Sequence, residues 1–368
     1  MKEGFILSKL AKYDQNMASE TGTIRDENLF YPDPFAPPFR LSGFYWYNEA
    51  KKLHRLPERI AQNVSDGVAY LATQTAGGTI SFRTNSNRLY IEAVVVEAAL
   101  SQKFTACGRF GFDVYMRRDD FDRLVYVKTV LPDPGVKEMK LDIPDFTNLM
   151  LQGSSEMVEI LINFPPYDGV ESLQIGLDKG ASVWEPTPYA IEKPVVFYGS
   201  SITQGGCASR PGNAYINHLN RRLNIPVINL GFSGSAKGEP LMAETIAAMD
   251  MSAFVMDYDH NAPTIKHLEM THEPFFKIIR EKNPQLPVIM ITKPNSAPTT
   301  AARKEIIRRT YQNALAAGDK NVYFIDGESL FGTTDRDACS VDGVHPNDIG
   351  FLRMADNIEP VLRQALGL

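Results

Sequence analysis

A serine in a turn of small residues and an aspartate–histidine pair near the end of the chain are the residues whose types and spacing point to chemistry. Ser201 lies in Val195-Val196-Phe197-Tyr198-Gly199-Ser200-Ser201-Ile202-Thr203-Gln204-Gly205. That is an apolar run entering a small-residue turn, where a hydroxyl can be held at a helix N-terminus. Asp342 and His345 stand three residues apart in Asp342-Gly343-Val344-His345-Pro346, close enough for the carboxylate to orient the imidazole. A serine hydroxyl is a poor nucleophile at neutral pH unless a base takes its proton, and an unperturbed imidazole, with a pKa near ~6.5, suits that task. Serine, aspartate and histidine in this order make covalent acyl transfer the leading expectation, with Asp342 fixing the tautomer of His345. The oxygen that becomes negative during such a reaction needs donors already in place. The backbone N–H groups of Ser201 and Gly234 and the side-chain amide of Asn261 are the candidates.

These groups need a scaffold that brings them to one edge. After residue 194, apolar strands at 195–198, 227–230, 253–256, 288–291 and 322–325 alternate with helical segments near 213–224, 239–249, 273–282, 299–317 and 347–366. This is the βα alternation of a parallel sheet covered on both faces. Ligands of such sheets bind beyond the carboxyl ends of the strands. Gly199-Ser200-Ser201 follows the first strand, Gly231-Phe232-Ser233-Gly234 the second and Asp257-Tyr258-Asp259-His260-Asn261 the third, so all three share that edge. In the segment 299–317, Ala302, Ile306, Tyr311 and Leu315 fall near one stripe, and Arg303, Lys304, Arg308 and Arg309 are expected to form a solvated face.

The N-terminal half has a different period. Residues 1–30 form a polar lead segment, and a proline-rich entry from Tyr31 to Phe39 cannot be helical. Through residue 185 the texture is of short β-branched and aromatic runs at 79–83, 89–94, 124–128 and 158–162, separated by Gly, Asn, Asp and Pro, with no helical stretch of comparable strength. An antiparallel β-sandwich of jelly-roll type is expected over 31–185, then a linker at 186–194 containing Pro186, Pro188 and Pro194, then an α/β domain over 195–368.

With these motifs in hand, Gly199-Ser200-Ser201-Ile202-Thr203 followed by Asp342-Gly343-Val344-His345-Pro346 resembles the SGNH/GDSL hydrolase family of esterases and lipases over residues 190–368. The resemblance implies a three-layer α/β/α domain of flavodoxin-like shape, Ser201 as nucleophile, Gly234 as an oxyanion donor, and Asp342 and His345 as its partners. Gly111-Phe112-Asp113-Val114-Tyr115 is similar to the Gly-x-Asp-Leu-Tyr motif of a β-sandwich that precedes the hydrolase domain in one subgroup. Related two-domain members resemble carbohydrate esterases that remove acetyl groups, which implies an O-acetylated carbohydrate as substrate. Two positions depart from the family pattern. Ser200 replaces the usual aspartate before the nucleophile, and the Gly-x-Asn-Asp block is missing. By strict distance Asp259 takes the asparagine's place, but a carboxylate there would repel the oxyanion, so Asn261 is preferred.

Composition narrows the partners. With 43% hydrophobic and 22% charged residues and a formal charge of -6, the chain has material for two cores and no general attraction to nucleic acid. Apolar runs are too short to span a bilayer, and no export signal is recognised, which favours the cytoplasm. Cys107, Cys207 and Cys339 fit neither a disulfide framework nor a zinc pattern, and the serine chemistry requires no cofactor and no metal. Two rivals remain at this level. One is a metal-dependent phosphoester hydrolase with Asp257, Asp259, His260 and His345 as ligands. The other is a non-catalytic carbohydrate-binding protein.

Overall fold

A computed structural model describes residues 26–96, 101–117, 123–131, 138–143, 157–294 and 300–368, so all but the end of the 1–30 lead segment lies outside the described residues. In the C-terminal half, strands Val195–Gly199, Val227–Gly231, Ala253–Asp257, Val288–Ile291 and Val322–Ile325 form a five-stranded sheet paired in parallel throughout. Its spatial order, second, first, third, fourth, fifth, is the flavodoxin-like doubly wound arrangement. Alternation divides the first strand between two cores. Val196 and Tyr198 pack with helices Pro240–Ala247 and Ile265–Lys282 on one face, while Val195 and Phe197 pack with Tyr215–Leu223 and Asp348–Leu366 on the other. Helix Ile265–Lys282 begins eight residues before the expected 273, because Thr264 caps it by accepting from the His267 N–H and Pro274 is carried inside it.

In the N-terminal half, two antiparallel sheets enclose their own core. One orders Leu29–Phe30, Gly169–Asp178, Leu89–Val96 and Glu138–Ile143; the other contains Arg40–Ser42, Thr79–Thr84, Val158–Asn163, Phe112–Arg117 and Val125–Val130. Ile80, Phe82, Ile91, Ala93, Phe112, Val114, Ile160, Ile162 and Ile175 meet between them. The first of these strands, Leu29–Phe30, reaches into the expected lead segment and pairs with Gly169–Asp178.

The N-terminal half also holds helices, although no stretch of its sequence carries a helical period as strong as the strand runs. Helices Glu58–Val64 and Asp66–Ala72 lie there, the second capped by Ser65 accepting from the Val68 N–H. Each is seven residues long, too short for a periodicity signal to outweigh the strand texture around it. Their apolar residues Ala61, Val68, Leu71 and Ala72 belong to the core of the parallel sheet, beside Phe232 and Met242, rather than to the sandwich. Arg55 just before them is fully buried and donates to the carbonyls of Leu71, Gln74, Asn229 and Gly231. The two halves are thus interleaved at the carboxyl edge of the parallel sheet.

Candidate active site

The first strand ends at Gly199, and Ser201 is the first residue of a one-turn helix, Ser201–Gln204. A first helical residue has no partner for its N–H within the helix, so that donor is left for another acceptor. Ser200 supplies the cap, its Oγ accepting from the Ile202 N–H at 3.1 Å. Gly205, at φ +106°, ends the turn in a conformation that side chains disfavour.

The loop before the last helix folds on itself. Asp342 Oδ1 accepts from the backbone N–H groups of Val344 at 3.0 Å and His345 at 2.7 Å, and Gly343 takes the left-handed conformation at φ +80°. Its other oxygen, Oδ2, lies 2.8 Å from His345 Nδ1, and His345 Nε2 lies 3.0 Å from Ser201 Oγ. Burial works against the Asp342 charge, but the His345 N–H, the Lys103 ammonium, the imidazole and the Val344 N–H outweigh it and hold the carboxyl well below the ordinary aspartate range. The carboxylate is therefore ionised at any working pH, and the line carboxylate, imidazole, hydroxyl is continuous.

Gly234 sits at φ +69° at the tip of the turn after the second strand. The carbonyl of Phe232 organises this turn, accepting from Ser235 N–H at 2.9 Å and Ala236 N–H at 3.1 Å. It also accepts from Asn261 Nδ2 at 2.9 Å, which leaves the second hydrogen of that amide for another acceptor. Asn261 is thereby brought against the Gly234 loop. Asp259 is not: it is buried, its Oδ2 accepts from the Lys293 N–H at 3.2 Å, and burial pushes its carboxyl up to about 6. Arg303, expected on a solvated face, instead donates to the backbone carbonyls of Asp259 at 2.5 Å and Ala262 at 2.6 Å. Its helix starts beside the loop after the third strand, a placement that periodicity along the helix cannot reveal.

The acidic groups of the metal rival have other commitments. Asp257 is buried and accepts from Thr203 Oγ1 at 3.0 Å and Tyr215 OH at 3.3 Å, with burial and the neighbouring Asp259 driving its carboxyl strongly upward. Burial, and after it Lys293 and His345, lower His260 to about 4. Among the described residues, no group of three or more His, Cys, Asp or Glu is arranged to hold a metal ion. Nor, among them, is any helix long and apolar enough to cross a membrane.

The sandwich contributes residues that spacing in the sequence does not reveal. Lys103 Nζ lies 2.6 Å from Asp342 Oδ2, and Tyr167 OH donates to the Ser201 carbonyl at 3.1 Å. Gln204 Nε2 reaches Gln74 Oε1 at 2.5 Å while its own oxygen holds the Ser233 N–H at 3.0 Å. The Gly111 to Tyr115 motif is a clamp. Strand alternation turns Phe112 and Val114 into the sandwich core and leaves Asp113 and Tyr115 facing the other half. There Asp113 Oδ2 accepts from Arg210 Nη1 and the Gly212 N–H, both at 2.7 Å, and Tyr115 OH accepts from Arg210 at 2.6 Å.

Both halves of the chain match known protein families. Residues 192–363 match the model of the GDSL-like Lipase/Acylhydrolase family, and residues 29–183 match the model described as the N-terminus of Esterase_SGNH_hydro-type. A crystal structure from Bacteroides ovatus described as a GDSL-like lipase is 30% identical, with a TM-score of 0.81, covering 92% of this chain and 98% of that one. The salicylyl-acyltransferase of a tetracycline biosynthetic pathway, at 19% identity and a TM-score of 0.73, covers 94% of this chain and 99% of its own. A family two carbohydrate esterase from Cellvibrio japonicus, at 14% identity and a TM-score of 0.57, covers 92% and 98%. No curated protein gives a significant match.

Proposed function

The chain belongs to the GDSL-like lipase/acylhydrolase family of SGNH-type carboxylic ester hydrolases, and on that premise we propose that Ser201, His345 and Asp342 act as a catalytic triad on short acyl esters, with O-acetylated carbohydrate as the substrate class. The observation that carries this reading is the relay in which His345 stands 3.0 Å from Ser201 Oγ and 2.8 Å from Asp342 Oδ2. Ser201 Oγ attacks the ester carbonyl carbon as its proton passes to His345 Nε2. Asp342 stabilises the imidazolium that forms. The N–H groups of Ser201 and Gly234 and the free hydrogen of the Asn261 amide donate to the carbonyl oxygen as it becomes negative. The bond to the alcohol then breaks, the alkoxide takes the proton from His345, and the acyl group stays on Ser201. Water attacks this acyl-enzyme with its proton going to His345, and collapse returns a proton to Ser201 Oγ and frees the acid.

Support for a carbohydrate alcohol comes from the fold shared with a family two carbohydrate esterase. The test compares wild type and Ser201→Ala on p-nitrophenyl acetate and on acetylated xylosides, with a fluorophosphonate label and an EDTA control. The expected result is turnover and labelling by wild type alone, both insensitive to EDTA. Wild-type-like hydrolysis by Ser201→Ala, or complete loss with EDTA, would overturn the serine mechanism.

A further inference from the structure

The turn after the second strand carries the proposed oxyanion donor at an open tip. A Cβ built on Gly234 would meet no heavy atom of the described residues within 4 Å, so packing on that side does not fix where its N–H points. Placement falls to the residues just before it. The Phe232 N–H donates to the Gly199 carbonyl at 2.8 Å, and the Ser233 N–H donates to Gln204 Oε1 at 3.0 Å. The Gly234 N–H is carried on the next peptide along, one residue beyond the bond to Gln204.

Gln204 is fully buried and lies three residues after Ser201 in the same one-turn helix. Its Nε2 hydrogens go to Gln74 Oε1 at 2.5 Å and to the Pro166 carbonyl at 3.0 Å. The Ser233 N–H can only donate and the Pro166 carbonyl can only accept, so one orientation of the amide satisfies both. Gln74 follows helix Asp66–Ala72, and Pro166 precedes Tyr167, whose hydroxyl donates to the Ser201 carbonyl. A single buried amide therefore joins the nucleophile's helix, the oxyanion turn and the N-terminal half. Moving it would leave buried groups unpaired, so it resists displacement. The base of the turn is held separately, by Arg55 on the carbonyls of Asn229 and Gly231. Loss of the Gln204 amide thus frees the tip and spares the strand.

Building on the esterase reading above, we propose that Gln204 is a positioning residue through which the N-terminal half sets the Gly234 N–H against the oxygen that becomes negative. It acts through the turn and touches no substrate. Gln204→Met keeps the length of the side chain and removes its hydrogen bonds. The expected result is a fall in kcat on p-nitrophenyl acetate of roughly tenfold to a hundredfold, with KM within about twofold. Phenylboronic acid gives a second readout, because addition of Ser201 Oγ to boron, its proton passing to His345, makes a tetrahedral adduct with an oxygen where the oxyanion forms. Its affinity, measured by calorimetry, should weaken by a factor similar to the loss in kcat. Gln74→Leu leaves the Ser233 and Pro166 bonds in place, so it should give a smaller loss in both readouts, about threefold, and it carries the test alone if Gln204→Met does not fold. A drop in melting temperature with kcat and boronate affinity unchanged would overturn the proposal, and so would a loss confined to KM. Absence of ester turnover by wild type would instead strike the esterase reading. The boronate arm would still decide Gln204, since equal affinity in wild type and variant, or none in either, overturns its role.

Discussion

Lys103 and His345 share one oxygen of Asp342: the ammonium lies 2.6 Å from Oδ2 and the imidazole Nδ1 lies 2.8 Å from the same atom. A lysine from the sandwich thus takes part of the charge that the carboxylate offers the imidazole. Cys207 and His260 also feel the charges of this pair. Lys103→Met leaves more negative charge facing the ring and stabilises its protonated form, so the acid limb of kcat/KM is expected to move to higher pH. Because the Lys103 side chain is 52% exposed, solvent screens the effect to about a few tenths of a pH unit. Lys103→Arg should restore the profile. An unchanged acid limb in Lys103→Met would show that the contact has no bearing on catalysis.

The Asp113 carboxylate is fully buried and holds Arg210 and the Gly212 N–H across the domain boundary. Removing one partner of such a pair strands the other, so Asp113→Ala is expected to lower stability by about 3 kcal/mol in urea unfolding. Ser209, next to Arg210, is bonded to Asp348 at the start of the last helix, through N–H at 2.8 Å and Oγ at 2.5 Å. Loss of the clamp should therefore also lower kcat by loosening the approach of His345 to Ser201. A stability change below about 1 kcal/mol would remove the clamp from the account.

Arg303 acts on the proposed oxyanion donor only through the backbone carbonyls on either side of it. Asn261→Ala is expected to reduce kcat by about 10²- to 10³-fold, and Arg303→Ala by roughly tenfold with KM little changed. Combining them tests the connection, because Arg303→Ala should add almost nothing once the amide is gone. Full additivity would mean that Arg303 works independently of Asn261.

Asp259 links pH to stability. An unfolded aspartate ionises near ~3.9, whereas burial keeps the folded Asp259 protonated up to about 6. Within that window the folded state binds more protons, so this group makes stability fall as pH rises from about 4 to 6. Asp259→Asn removes the penalty. Its stability advantage over wild type should grow across the window to on the order of 1 to 3 kcal/mol and stay flat above it. Parallel stability curves for the two proteins between pH 4 and 7 would refute this.

The parallel sheet was legible because each strand and helix carries its period within its own few residues, as in the alternation of Val195 to Tyr198 between two cores. The Asp342 loop was legible for a similar reason. An aspartate that bonds the N–H groups two and three residues ahead, with a glycine between, is a local structure. Helices Glu58–Val64 and Asp66–Ala72 escaped because they are short and their core partners lie more than a hundred residues away.

By itself, then, the sequence determined the chemistry-bearing residue types, the two textures and the edge where the strand-end loops gather, since all of these follow from neighbours along the chain. Only the tertiary structure decided that Lys103 rests on Asp342, that Tyr167 braces Ser201, that Arg303 grips the Asn261 turn and that Asp113 holds Arg210. Those contacts join residues 34 to 239 positions apart, and a pairing across such distances leaves no spacing or period in a single chain to announce it.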